Sequence, residues 1–409
     1  MSRPVILPRR SAKEWGLRII LALLALLTGI AATRYTLASA LVRTDPGRAH
    51  QMAPRDGLVA GALASKLFAA NQKKDAQAEI SKLARFALQQ EPTAVEAVAT
   101  LGLQSQVQGD AETARKLFSY SQTLSRRHLG THLWAIEDAV ARNDIPEALR
   151  HYDVALRTSK GAPEILFPVL TAAISERAVR YNVIKVLLGR PLWSLDFIRY
   201  VAAKAPEPSS AVILLEGLRR VMVPIPPEAT AAMINSLIAA GDFEKAWNFY
   251  SSARQGATRA GSRDPRFTAE LAKPSVFDWV PVNDANISTS LQPRRDGGVF
   301  SFSAPATVGG ILLRQRQLLP PGTYKIAGRT RDIEQPDRSR PYWVLSCQSG
   351  RELGRVAVPN SSAANGRFAG TFDVPADCPM QTLALVARPS DEIVGVAGQV
   401  EEVRLAPVE

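Results

Sequence analysis

His128 and His132 stand four residues apart, a spacing that on a helix brings two imidazoles within reach of one metal ion. The residues between them are Leu129-Gly130-Thr131, so there is no Glu to serve as base as in the helical metalloprotease motif. Gly130 weakens a helix and His128 follows Arg126-Arg127 at a turn, so both rings read as surface groups rather than ligands. All 4 histidines (His50, His128, His132, His151) precede residue 152, and the C-terminal part has no imidazole to activate a Ser or Cys nucleophile. No Gly-rich phosphate loop, Gly-x-Ser-x-Gly elbow or Cys-rich metal spacing occurs. The acidic pairs Asp391-Glu392 and Glu401-Glu402 are adjacent, and neighbours on a strand point to opposite faces, so neither is a facing acid/base pair. The chain reads as non-catalytic, with no cofactor and no metal.

Two other residue types carry chemistry. The only cysteines, Cys347 and Cys378, are a natural disulfide in an oxidising compartment. Closing a loop of about 31 residues would stabilise the fold by roughly 3–4 kcal/mol. Exposed aromatic faces are the other lead, since sugar rings stack on them. On the predicted strand Tyr342–Cys347, alternation puts Trp343, Leu345 and Cys347 on one face and Tyr342 on the other. Phe368 and Phe372 share a face and read as core, which leaves Tyr342 and Trp279 as the sugar-platform candidates.

These groups must be positioned by something, and the compartment is set at the N-terminus. Ile19 to Thr33 (IILALLALLTGIAAT) carries no charge and follows a leader with Arg3, Arg9, Arg10, Lys13 and Arg18. Its Leu and Ile residues favour bilayer insertion by about 0.5 kcal/mol each, roughly 4 kcal/mol in sum. Basic residues on the N-terminal side keep the leader, residues 1–18, in the cytoplasm and send the rest across an inner (plasma) membrane into the periplasm. Residues 19–41 are either an uncleaved anchor, the favoured reading, or a signal cleaved at the small-residue pattern Ala38-Ser39-Ala40. Arg9-Arg10 is a twin-Arg pair that Ser11-Ala12-Lys13 does not continue into a strong signal. The formal net charge is +12, and half of it falls within residues 1–43, where it faces anionic lipid. No Lys/Arg run interleaved with aromatics lies elsewhere, so nucleic acid is not an expected partner.

Residues 42–255 follow a helical period, after a turn signal at Asp45-Pro46-Gly47. Leu58–Ala70 and Ala76–Leu88 are Ala/Leu-rich and free of Pro. Ala114 and Ala148 lie 34 residues apart, as do Phe118 and Tyr152, and Ser121 and Ala155. The pattern resembles the tetratricopeptide repeat (TPR): Leu101-Gly102, Gly109-Asp110, Ala114 and Phe118 form the best copy. Asn143-Asp144, Ala148, Tyr152 and Ala155 form the next, with Ala135-Ile136 in place of Leu-Gly. Gly241-Asp242, Ala246, Tyr250 and Ala253 form a third. Between Gly161 and Pro227 prolines punctuate shorter, less regular helix pairs. The resemblance implies a groove lined by the first helix of each pair, with Glu96, Leu103, Gln106, Leu133 and Glu137 facing it, and protein segments as its partners.

Residues 256–274 read as a linker, and residues 275–409 switch to period two. Segments such as Thr323–Arg329, Phe368–Val374 and Thr382–Arg388 alternate between Gly, Pro, Asn and Asp turns, as in an all-β sandwich. With its closing strand Glu401–Leu405, the domain resembles the jelly-roll sandwiches used as carbohydrate-binding modules. The expected fold is therefore multidomain α and β: a transmembrane helix, a TPR-like α-solenoid and a C-terminal antiparallel β-sandwich, jelly-roll-like. The expected function is a membrane-anchored periplasmic scaffold that binds protein partners in cell-envelope or exopolysaccharide assembly. A carbohydrate-binding protein acting through the sandwich, with polysaccharide as partner, is the alternative.

Overall fold

Helix α1 (Ala12–Leu41) runs for 30 residues without a break. From Trp15 to Leu41 it is long and apolar enough to cross a bilayer, and its large apolar side chains lie exposed. The hydroxyls on this helix donate back into it, Thr28 to Leu24 O at 2.9 Å, Thr33 to Gly29 O at 2.8 Å and Thr36 to Ala32 O at 2.8 Å. These three hydroxyls are thereby satisfied within the helix itself. A computed structural model of the chain describes residues 12–71, 74–254, 256–270, 273–284, 286–390, 393 and 395–408. The twin-Arg pair Arg9-Arg10 and the acidic pair Asp391-Glu392 lie outside the described residues.

The chain divides into two compact units, Met1–Ala162 and Pro163–Glu409. In the first, Asp45-Pro46 opens a helix rather than a turn: α2 (Pro46–Met52) has Asp45 as its N-cap and Pro at the first position, where its missing N–H costs nothing. Three helix pairs follow: α3 (Gly57–Ala70) with α4 (Lys74–Gln90), α5 (Val95–Val107) with α6 (Ala111–Leu124), and α7 (Leu129–Ala141) with α8 (Ile145–Thr158).

The repeat signal has a physical cause in the turns. Gly109 and Asn143 take left-handed backbone (φ 84 and 57), and the next residue caps the second helix. Asp110 accepts from Thr113 N at 3.0 Å and Asp144 from Glu147 N at 3.1 Å. The small and aromatic positions close the packing: Ala114 and Phe118 are fully buried, and the Phe118 ring stacks on Trp134 of the next pair with centroids 4.2 Å apart. Gly102 is required here, because a Cβ would sit 2.8 Å from the Phe118 ring.

The second unit starts with α9 (Ala162–Ala173), α10 (Arg177–Leu188), α11 (Ser194–Lys204), α12 (Pro208–Arg220), α13 (Pro227–Ala239) and α14 (Phe243–Ala253). Pro208 and Pro227 occupy first turns, and Phe167, Trp193, Phe197 and Tyr200 form one aromatic cluster. Gly241-Asp242 repeats the turn device of the first unit, with φ 78 at Gly241 and Asp242 capping Lys245 N. At the ends of α10 and α12 the same left-handed site holds Arg190 (φ 50) and Met222 (φ 59), which for such residues is about 1–2 kcal/mol of backbone strain each.

The chain then builds two antiparallel five-stranded sheets. One has the order β1-β4-β9-β6-β7, from β1 (Val280–Pro281), β4 (Gly310–Gln317), β9 (Gln381–Ala387), β6 (Tyr342–Cys347) and β7 (Glu352–Ala357). The other has the order β2-β3-β10-β5-β8, from β2 (Ser288–Gln292), β3 (Val299–Ala304), β10 (Val396–Pro407), β5 (Gly322–Arg331) and β8 (Arg367–Val374). Trp343, Leu345, Phe368, Phe372, Val400 and Leu405 fill the space between them. Sγ of Cys347 is bonded to Sγ of Cys378.

The stretch read as a linker is folded onto the sandwich instead. Ser262 N donates to Leu405 O at 3.0 Å, and Val403 N to Pro265 O at 2.9 Å. Phe267 is fully buried among sandwich side chains. Arg263 is buried as well: its Nε donates to Phe277 O at 2.9 Å and its Nη1 to Gln317 Oε1 at 2.7 Å, while Nη2 donates to Arg316 O. The Gln315 amide closes on the Arg263 backbone with two 3.0 Å hydrogen bonds. Charge scattered in a Gly/Ser-rich stretch looks solvated in sequence; here one cation is an internal strut.

Candidate functional site

The helix faces of the first unit leave a groove of about 770 Å³ between α3, α5 and the turns after α1 and before α7. Its wall is apolar where Leu58 and Ala62 of α3 meet Val95 of α5, and Leu58 is half exposed although its neighbours on α3 are core. Arg43, Lys66 and Arg127 stand around it. Glu96 is its acidic group, placed by the first turn of α5 and reached by His128 Nε2 at 3.3 Å. That hydrogen bond holds the Glu96 carboxyl below the usual carboxylate range, against the opposing effect of burial. His128 has a second task, since its Nδ1 accepts from Thr131 N at 3.2 Å as the N-cap of α7. The groove can therefore take an extended or helical segment with an apolar anchor and acidic flanks.

Of the five residues expected to face a groove, the structure brings only Glu96 into it. Leu103 is half-buried and packs into the core between helix pairs. Gln106 is exposed and accepts from Trp134 Nε1 at 3.4 Å, Leu133 is half-buried, and Glu137 is exposed further along α7. The 34-residue register places one of the five, Glu96, in this groove. A one-position error rotates a side chain by about 100° on a helix.

The histidines also differ from expectation. His128 and His132 do not face one another, and His132 and His151 are buried, with their Nδ1 atoms 3.0 Å apart. The partners of His132 fix its proton. His132 Nε2 lies 3.0 Å from Arg126 O and must donate, so its Nδ1 accepts from His151 Nδ1; His151 Nε2 stands between Arg150 Nη2, a donor at 3.0 Å, and Glu147 Oε1, an acceptor at 3.2 Å. Arg150 in turn pairs with Glu147, whose carboxyl it draws down to about 2. Both imidazoles are pushed below their ordinary 6.5, by burial first. Among the described residues no group of three His, Cys, Asp or Glu side chains is placed to hold a metal.

A pH dependence follows. Below about 6.5 the unfolded chain takes up protons that the buried native pair refuses, so stability falls as pH falls. Glu147 stays ionised throughout this window. Urea unfolding at pH 7.5 and 5.5 is expected to show a lower midpoint in acid, with the drop diminished in His132→Gln/His151→Gln. A drop of equal size in the variant would remove the pair as its cause.

On the sandwich, neither aromatic candidate is an open platform. Trp279 is buried, its ring edge-on to Trp343 at 5.9 Å and its Nε1 donating to Asp264 O at 3.0 Å. Strand alternation does turn Tyr342 away from the core, as expected, but the guanidiniums of Arg355 and Arg388 lie 4.8 Å and 4.6 Å from its ring centre. A polar hollow of about 430 Å³ lies elsewhere on the surface, where Glu401 pairs with Arg329 and Arg331, and no aromatic lines it.

No protein-family model matches the chain, and no curated protein matches it in sequence. Solved structures similar in part include the CBM22-1 xylan-binding domain of Paenibacillus barcinonensis Xyn10C, at 10% identity over 38% of this chain and 96% of that one (TM-score 0.25). Another is the human IFIT1 dimer with m7Gppp-AAAA, at 15% identity over 55% of this chain and 62% of that one (TM-score 0.26). A third is the Glycosylation Associate Protein (Gap123) complex from Streptococcus agalactiae, at 14% identity over 32% of this chain (TM-score 0.22). The chain spans only 44% of that streptococcal chain. At these scores the likenesses carry nothing about ligand or activity. The chain is a multidomain α and β protein: a long apolar N-terminal helix, a repeat-like helical region and an antiparallel two-sheet sandwich.

Proposed function

We propose that this protein is a non-catalytic, membrane-anchored scaffold that holds a segment of a partner protein in the groove between α3 and α5. The groove carries the reading: about 770 Å³, apolar in its wall, basic at its rim, and formed by first helices of successive pairs. An acidic, apolar segment fits it by charge and by the depth of Leu58 and Val95. Helix α1 anchors the chain in the inner membrane with the helical units and sandwich on the periplasmic side, and the disulfide agrees with that side. Export or assembly of an envelope polysaccharide is the process such a scaffold would serve. Glycan binding by the sandwich is the weaker reading, because neither Trp279 nor Tyr342 offers an open ring face.

A photo-crosslinking residue at Leu58 in the native membrane tests the groove. One dominant adduct is expected, weakened about tenfold or more by Ala62→Trp, equivalent to at least 1.4 kcal/mol of lost affinity. Crosslinking that Ala62→Trp leaves unchanged would show the groove to be empty surface.

A further inference from the structure

Away from the groove, the turns that end α10 and α12 form one tip in the second unit, with Arg190 Nη2 donating to Met222 O at 3.2 Å. Leu192 is 89% exposed and Met222 80% exposed, with Leu188 also exposed beside them in sequence. These side chains do not belong to a frayed loop. Trp193, next to Leu192, is buried against Phe167 and Phe197, and Val223, next to Met222, is buried as well. The apolar points therefore project from a fixed base.

Water alone gives no reason for this arrangement. Equivalent turns carry Gly109, Asn143 and Gly241 at the left-handed position, residues that suit it, whereas Met222 combines a strained backbone with an apolar side chain in solvent. The charge around the tip is basic on balance. Residues 185–196 and 216–228 contain Lys185, Arg190, Arg219 and Arg220; of their acidic residues, Asp196 and Glu228 are both held by Arg199, which leaves Glu216. Arg219 is engaged with Ser252 and the Phe249 ring, whereas Arg190 and Arg220 are exposed, Arg220 making only a 3.8 Å contact with Glu216. Isolated apolar points flanked by guanidiniums match a headgroup–acyl boundary. A protein interface would instead present a broad, packed apolar patch.

We propose that this tip is a second membrane contact: Leu192 and Met222 enter the boundary of an anionic bilayer while Arg190 and Arg220 meet lipid phosphates. The inference does not depend on α1 being the anchor, and one experiment separates the two. The full chain is labelled with bimane at Leu192→Cys, Met222→Cys or Leu24→Cys, the native cysteines being bonded to each other. Labelled protein is mixed with nanodiscs of phosphatidylcholine, with or without phosphatidylglycerol and brominated acyl chains. Bromine is expected to quench the labels at 192 and 222 about twofold on anionic discs, with most of that lost on neutral discs or in Arg190→Glu/Arg220→Glu. Unchanged melting temperatures confirm that the variants are folded. A quenched label at 24 with unquenched labels at 192 and 222 overturns the tip and leaves the anchor standing. The reverse pattern removes the anchor and leaves the tip. Blue-shifted emission at 192 and 222 before lipid is added would mean that protein covers the tip, which also overturns the proposal.

Discussion

Arg263→Ala is expected to lower the unfolding free energy of the full chain by about 4 kcal/mol. The guanidinium is nearly inaccessible, and burial pulls its pKa down to about 10, so it remains a cation at neutral pH. No carboxylate pairs with it directly; its donors end on Phe277 O, Gln317 Oε1, Gly261 O and Arg316 O, and its plane lies 5.7 Å from the ring centres of Trp247 and Phe277. Alanine would leave several buried acceptors without donors, at about 1–3 kcal/mol each before relaxation, and would open a cavity beside two rings. Arg263→Met restores much of the volume and none of the hydrogen bonds, so it should fall between. Urea unfolding followed by near-ultraviolet circular dichroism measures this. A loss below about 1 kcal/mol for alanine would mean that water replaces the guanidinium freely.

Reducing the Cys347–Cys378 bond, or replacing both residues with alanine, is expected to cost about 3–4 kcal/mol through the freedom returned to the unfolded loop. The bond joins the end of β6 to the turn before β9, strands already paired in one sheet, so the native geometry should persist without it. Its removal should therefore shift the unfolding midpoint and leave the native spectrum unchanged. A midpoint insensitive to reductant would show that the loop is already constrained in the unfolded chain. Thiol labelling of the protein straight from cells adds a separate test: reactive Cys347 and Cys378 would argue against an oxidising compartment.

What the sequence made legible was whatever depends on local chemistry. Gly109-Asp110, Asn143-Asp144 and Gly241-Asp242 announce their turns because the left-handed residue and the helix cap are consecutive. Tyr342–Cys347 was legible because its buried and half-buried residues alternate without interruption. Strand β4 was not: a bulge between Ile311 and Leu313 breaks the alternation, and its inward residues include Gln315 and Gln317, buried polar groups that exist to receive Arg263 and its neighbours. Strand β2 is short and mostly polar, and it sits at a sheet edge, so its pattern carries little signal. The candidate site was harder still. Glu96 lies in the groove, but the groove's basic rim comes from three separate segments, and no local pattern in the sequence joins them. His132 and His151 are 19 residues apart, and a hydrogen-bonded pair across two helices leaves no trace in composition.

The last turn of α1 bears on mechanics. Ala38 is wholly enclosed with Ala49 and Val59, and the helix reaches it from Ala12 with no intervening turn. Under the proposed topology the part in lipid and the part gripping α2 and α3 are one stiff rod. A tilt or twist imposed within the bilayer would therefore arrive at the first helix pair as torque, where a swivelling tether would have dissipated it.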